Sequence, residues 1–126
     1  MAVAHDAASS SSNTNVSSLS WTHTPSGTPT AVAVGTMYYG YSSHRTVSSI
    51  TYGGASLSVA PNNPSAWTSG DDAATVWGLA NPAAGAQTVA ITWSGAVYPV
   101  AGAETVTGSN TSTCFSNGAS ATGSGT

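Results

Sequence analysis

The sequence has very few charged residues, which make up 4% of its 126 positions. It contains no lysine, and Arg45 is its single cationic side chain apart from three histidines. Partners rich in phosphate need several Lys or Arg residues to neutralise them, so nucleic acid is not predicted as a partner. Schiff-base chemistry needs a lysine amine, so that class of covalent catalysis is excluded.

The sequence also has little cysteine and no long apolar run. Cys114 is the single cysteine, so it cannot close a disulfide within the chain. The first residues have neither the basic region nor the apolar segment of a secretory signal peptide. No segment approaches the ~20 apolar residues of a membrane helix, so membrane insertion is not predicted.

The remaining residues alternate between apolar and polar positions in short segments rich in β-branched and aromatic side chains. Gly, Pro, Asn and Ser interrupt these segments at intervals typical of all-β domains. We find no segment with the 3.6-residue period of a helix. The pattern predicts an antiparallel β-sandwich of jelly-roll or immunoglobulin-like type with about seven or eight short strands.

The pattern also predicts where the strands lie, and Gly53-Gly54 is predicted to form a tight hairpin turn because glycine accepts positive φ. Residues 9–15 and 62–71 are predicted to be loops. No strand that returns to pair with the first one is visible near the end of the sequence. The predicted strands are residues 2–7, 16–24, 31–39, 47–52, 55–59, 73–79, 87–93 and 97–107.

Residues 1–108 are therefore predicted to form the β-sandwich domain. Residues 109–126 are rich in Ser, Thr and Gly and are predicted to be a C-terminal loop or arm, with a truncated chain as the alternative interpretation. Weak net charge, −3 at neutral pH, gives little repulsion between copies. We therefore expect the protein to associate with copies of itself or with a larger lattice.

Three segments resemble a family of β-sandwich domains found in secreted bacterial proteins and phage structural proteins. VSSITYGGASL at 47–57 is similar to the VSSVTYGGxxL hairpin of that family, and ATVWGLANPAAG at 74–85 is similar to its ELWYLxNPPAG segment. QTVAITWSG at 87–95 resembles the TVTVTxSG strand that follows. Gly78 departs from the pattern, since the family has an aromatic residue there. These motifs consist of turn and core residues, so the resemblance implies a fold and transfers no catalytic residue.

Catalytic and metal sites are not predicted. His5, His23 and His44 could combine with Asp6 and one of many serines as a Ser/His/Asp triad, but no Gly-x-Ser-x-Gly turn exposes a serine. His23 is in phase with Leu19 and Trp21, which favours a hydrogen-bonded, half-buried residue. Asp71-Asp72 lacks the rest of a calcium loop. No cofactor is expected.

The aromatic residues are the best candidates for a functional surface. Tyr38, Tyr41 and Trp67 could be a platform on which sugar rings stack, or part of a protein interface. A third possibility is core packing, with Tyr39 and Trp77 inside and Tyr38 and Tyr41 at the rim.

We therefore expect a non-enzymatic structural protein of an extracellular assembly, with a phage virion decoration or cement protein as the first hypothesis. A virion or extracellular location follows from that hypothesis. The alternative is a carbohydrate-binding module of a secreted bacterial protein, for which a glycan would be the partner.

Overall fold

The structure, a computed structural model, describes residues 2–40, 44–59 and 72–113. These residues form strands, turns and loops, with no helix among them. The strands are β1 (Ala4–Ser12), β2 (Val16–His23), β3 (Ala31–Tyr39), β4 (Val47–Tyr52), β5 (Ala55–Ser56), β6 (Ser58–Val59), β7 (Asp72–Ala80) and β8 (Gln87–Thr107).

The fold is organised by β8, a strand of 21 residues that pairs with four others. Its first part lies between β2 and β4, and its second part lies between β1 and β3. Both β2 and β4 shift register opposite residues 92–97, where β-bulges allow β8 to bend. The prediction of two separate strands, 87–93 and 97–107, is therefore wrong, because Ser94 and Gly95 continue the strand.

All of the strand pairs are antiparallel. The strand order is β5-β4-β8-β3-β7-β6, with β1 and β2 also paired to β8, which gives a nearly closed, barrel-like sheet. The predicted all-β antiparallel architecture is confirmed. The division into two sheets of a sandwich is not confirmed, since β8 belongs to both halves of the sheet.

The core lies inside this curved sheet and is lined by alternate residues of each long strand. Along β8 the buried positions recur with period two from Val89 to Thr105, so one face of the whole strand points inward. The largest fully buried apolar side chains come from β3, β4 and β8 and include Tyr52, Ile50, Ile91, Val32, Val34, Val89 and Val97. The alternation of residues 87–93 predicts that Val89, Ile91 and Trp93 share one side of the strand, and this is confirmed, since all three are buried.

The hairpin between β4 and β5 has the predicted turn. Gly53 and Gly54 have φ values of 56° and 84°, the positive pair that a two-residue type I′ turn requires. The predicted partner strand 55–59 is divided at Leu57, because β5 pairs with β4 whereas β6 pairs with β7. The alternation of residues 55–59 predicts that Leu57 and Val59 both face inward. Leu57 is buried, but Val59 is exposed, so the prediction is wrong for Val59.

Residues 9–12 were predicted to be a loop from their serine content, and this prediction is wrong. They continue β1 and pair with residues 100–103 of β8, because a backbone ladder needs no particular side chain and the inward-facing Ser9 finds polar partners. This pairing also shows that β8 is the strand beside β1, which the sequence pattern did not reveal. The predicted loop 62–71 and residues 114–126, including Cys114, lie outside the described residues.

Candidate functional site

The sheet has an exposed apolar surface on the outer side of β3, β7 and the second part of β8. We call this surface the outer patch and define it by its exposed large side chains and the small residues between them. The large side chains are exposed by 38–61% and are Met37, Tyr39, Val76, Tyr98 and Val100. The small residues are Ala33, Gly35, Ala74 and Gly102.

Strand register arranges the outer patch in rows that run across the strands. Gly35 of β3 lies opposite Val76 of β7 and Gly102 of β8, and this row forms the floor of an open groove. In the next row, Met37 lies opposite Ala74 and Val100. The groove has a volume of about 470 Å³. On β3 and β8 a low glycine thus lies beside a raised apolar side chain, whereas on β7 the large residue, Val76, lies in the glycine row.

Tyr38, a predicted surface aromatic, lies in the core. It is 2% exposed, and its ring meets Trp93 edge-on with centroids 5.8 Å apart. Its hydroxyl donates a hydrogen bond to the carbonyl oxygen of Arg45 at 3.1 Å. Burial raises the pKa of Tyr38. The predicted rim position is therefore wrong, because the strand phase set by Val34 carries Tyr38 inward.

Tyr39, which was predicted to be inside, is on the outer patch instead. Its ring centroid lies 6.2 Å from that of Tyr98 with a tilt of 43°, within the usual range for interacting aromatic rings. Tyr98 was missed by the sequence analysis, although its position out of phase with Val97 places it on the outer face. Trp77 is half-buried against the core. Tyr41 and Trp67 lie outside the described residues.

A second feature is a chain of polar side chains between β1 and β2, the two neighbouring strands that both pair with β8. We call it the seam. Ser9 Oγ lies 2.7 Å from His23 Nδ1 and accepts a hydrogen bond from the Trp21 indole at 2.8 Å. His23 Nε2 lies 3.1 Å from Thr105 Oγ1, which donates to Asp6 Oδ2 at 2.9 Å.

The donors and acceptors of the seam fix the tautomer of His23. Thr105 gives its proton to a carboxylate, so it must accept one from His23 Nε2. A neutral imidazole then has an acceptor at Nδ1, which takes the hydroxyl proton of Ser9. Every hydrogen therefore points along one direction, from Trp21 to Asp6. Burial lowers the pKa of His23, and nearby Asp6 acts in the opposite direction.

The seam contains the residue types of a Ser/His/Asp triad in a different arrangement. Thr105 stands between His23 and Asp6, and the His23 ring is 0% exposed with both nitrogens already bonded. A catalytic base must pass its proton on to a leaving group, which this ring cannot reach while it is enclosed. The geometry favours a structural role in which these side chains join β1, β2 and β8. The prediction that His23 is hydrogen-bonded is confirmed, but the prediction that it is half-buried is wrong, because the residue is fully buried.

Other charged groups form no binding cluster in the described part of the chain. Groups of three or more His, Cys, Asp or Glu that could hold a metal are not found there. Asp71 lies outside the described residues. Arg45 is half-buried, with its guanidinium against Gly95. None of the described residues forms a helix that is long and apolar enough to cross a membrane.

Comparison of the chain with protein-family models, with curated proteins and with solved structures found no match. The resemblance of residues 47–95 to secreted and phage β-sandwich domains therefore stays a prediction. The outer patch and the seam are the two features of the structure that bear on its function.

Proposed function

We propose that this protein is a non-enzymatic structural component of an extracellular assembly, to which it contributes an adhesive sheet face. The outer patch carries the proposal. Five of the seven large hydrophobic side chains that are exposed among the described residues lie on this one face. Contiguous exposed apolar surface of this kind marks an interaction site more often than chance exposure.

The charge distribution supports the same function. The charged residues in the rows of the outer patch are Glu104 and Asp72, which lie in the two end rows of the surface. A surface that is uncharged at its centre favours apolar partners and does not attract phosphate-rich ones. Copies of this chain, or a larger lattice, are the proposed partners, and nucleic acid is not among them.

The specific assembly that we propose is a phage virion, in which the chain would decorate or cement the particle. The support for it is the resemblance of the hairpin at 47–57 and of the two segments that follow to phage structural domains. A jelly-roll or immunoglobulin-like sandwich is the fold that this resemblance implies. A virion or other extracellular location is part of the same proposal.

Immunogold electron microscopy tests this function directly. An antibody raised against the purified chain is applied to particles from the native source, and a parallel sample uses antibody that has been preabsorbed with the chain. We expect gold at regular positions on a particle or surface layer. Label confined to soluble material would refute the structural role.

A carbohydrate-binding module is the second candidate, and the exposed Tyr39–Tyr98 pair is the observation that favours it. Aromatic faces accept the apolar faces of sugar rings, and hydroxyl groups then need polar neighbours. A glycan array with the wild-type chain and the Tyr98→Ala variant distinguishes the two functions. The structural proposal predicts no saturable binding, whereas a reproducible signal that Tyr98→Ala abolishes would favour the module.

A further inference from the structure

The geometry of the outer patch points to a second copy of this chain as its occupant, and we propose that two copies pack face to face about a two-fold axis. This inference depends on the proposed assembly function and adds to it the contact surface and the partner. Three observations carry it: an unexplained glycine, a pattern of large and small residues, and the placement of charge.

Gly35 is not explained by crowding among the described residues of its own chain. It lies in the middle of β3, where glycine costs stability because it packs no side chain. Its register is regular on both sides, its φ is not positive, and an added Cβ would meet no atom of the described residues within 4 Å. Bulge, turn and crowding by these residues are therefore excluded. A bend of the sheet and close approach of another molecule are the remaining reasons for a glycine in a strand, and the residues around Gly35 favour the second.

The two central rows of the outer patch are complementary to each other. Same-face residues along a strand are ~6.8 Å apart, since each residue rises ~3.4 Å. Consider a two-fold axis that lies between the two sheets, perpendicular to the strands and midway between the two central rows. Rotation about this axis reverses the direction of each strand and places β3, β7 and β8 over the same strands of the partner. It places Met37 over the partner's Gly35 and Val100 over the partner's Gly102.

The third strand of the patch follows the same rule with its residues exchanged. β7 has its large residue, Val76, in the glycine row and its small residue, Ala74, in the row of Met37. The same axis therefore places Val76 over the partner's Ala74. On β3, β7 and β8 every large side chain meets a small one, as an isologous contact requires.

The outer rows extend this match and bring a polar contact. Tyr39 lies opposite Tyr98, and Ala33 lies opposite Glu104, at equal distances on either side of the axis. Tyr39 then covers the partner's Ala33, and the Tyr98 hydroxyl faces the partner's Glu104. A phenol that donates to a carboxylate satisfies the charge of Glu104. Asp72, in the row of Tyr39, lies at the edge of the contact over the partner's Gly78.

The area of the outer patch sets the expected affinity between the two copies. Three strands ~4.8 Å apart and four rows ~6.8 Å apart give a projected area of ~400 Å² per copy. Stable pairs bury ~800 Å² per partner, so the isolated dimer is expected to be weak and reversible. Copies held on a lattice would associate more completely, because their local concentration is high.

Sedimentation velocity of the full chain tests the proposal with two matched variants. Gly35→Val fills the glycine row without a clash in its own chain, and Ser20→Val adds the same side chain at an exposed position of β2. We expect wild type and Ser20→Val to dimerise reversibly between about 5 and about 500 µM, as small interfaces do. Gly35→Val should weaken dimerisation at least about tenfold, because overpacking occurs at both symmetric sites, with no loss of thermal stability.

Cysteine cross-linking tests the register, with Cys114→Ser as the background. Met37→Cys and Gly35→Cys chains should be joined by a short bis-maleimide cross-linker, since sheets packed face to face lie ~10 Å apart, beyond the reach of a disulfide, and Ser20→Cys should not be joined to either.

A dimer that Gly35→Val leaves unchanged would overturn this surface and leave the proposed assembly intact. A chain that stays monomeric throughout would overturn the second copy as occupant, whereas gold on particles in the immunogold experiment would still support the assembly.

Discussion

Protonation of His23 should destabilise the protein in mild acid. In the folded chain the ring is neutral, donates from Nε2 to Thr105 and accepts at Nδ1 from Ser9. A proton at Nδ1 would remove that acceptor and place a charge at a 0% exposed position. The groups that face the ring are Ser9 and Asp6 of β1, Thr105 of β8 and Tyr52 of β4.

The sign of the effect follows from the pKa of His23, which is lowered from 6.5 on folding. Above pH 6.5 both states are neutral at this residue, and the seam contributes its full stability. As the pH falls through 6.5, the unfolded chain takes up a proton that the folded chain does not, so unfolding becomes more favourable. The loss approaches ~1.4 kcal/mol per pH unit and levels off below the folded pKa.

Urea denaturation between about pH 7.5 and about pH 5 measures this slope, since the lower limit lies above the usual range of carboxylates. The matched variant is His23→Gln, which keeps a donor and an acceptor and cannot be protonated. His5 and His44 are present in both proteins, so their effects cancel in the difference. We expect the wild type to lose more stability than His23→Gln over this range. If the unfolding free energies of the two proteins had equal slopes against pH, His23 would not be held neutral by the seam.

Three substitutions test other parts of the fold by thermal and urea unfolding. Gly54→Val should cost ~1–2 kcal/mol because its φ of 84° is strained for a β-branched residue. Gly35→Val should not destabilise the fold, and an equal loss of stability in the two variants would show that the positive φ of Gly54 is not the cause. Thr105→Val should cost ~1–3 kcal/mol, because it leaves His23 Nε2 and Asp6 Oδ2 without the hydroxyl to which they are bonded, and a neutral result would refute the seam as a stabilising network. Tyr38→Phe should cost ~0.5–1.5 kcal/mol through its lost hydrogen bond to a backbone carbonyl; a higher melting temperature would contradict that bond.

Alternation in the sequence predicted the strands that have one clear apolar face. Val89, Ile91 and Trp93 were placed on one side of a strand by their alternation, and that side is buried. The Gly53-Gly54 turn followed from backbone sterics. The continuity of β8 could not be predicted in this way. Ser94 and Gly95 have the composition of a turn, and their extended conformation depends on pairing with strands distant in sequence.

The phase of β3 was predicted incorrectly for a related reason. Val32, Val34, Thr36 and Tyr38 form its buried face, and a buried threonine interrupts the apolar pattern that the sequence shows. Met37 and Tyr39 are more apolar than Thr36 yet lie outside. Apolar residues on both faces of a strand are expected where its outer face is itself an interaction surface.

Gly35 shows why the candidate surface needed the three-dimensional structure. In the sequence it is one of 14 glycines, and most of these occur in turn-like contexts. Only the register shows that it lies opposite Gly102 and Val76, next to the row of Met37, Val100 and Ala74. Residues from three distant segments thus alternate in size with the symmetry of a two-fold axis. Because core packing places no constraint on these outward positions, their alternation is best explained by what covers them.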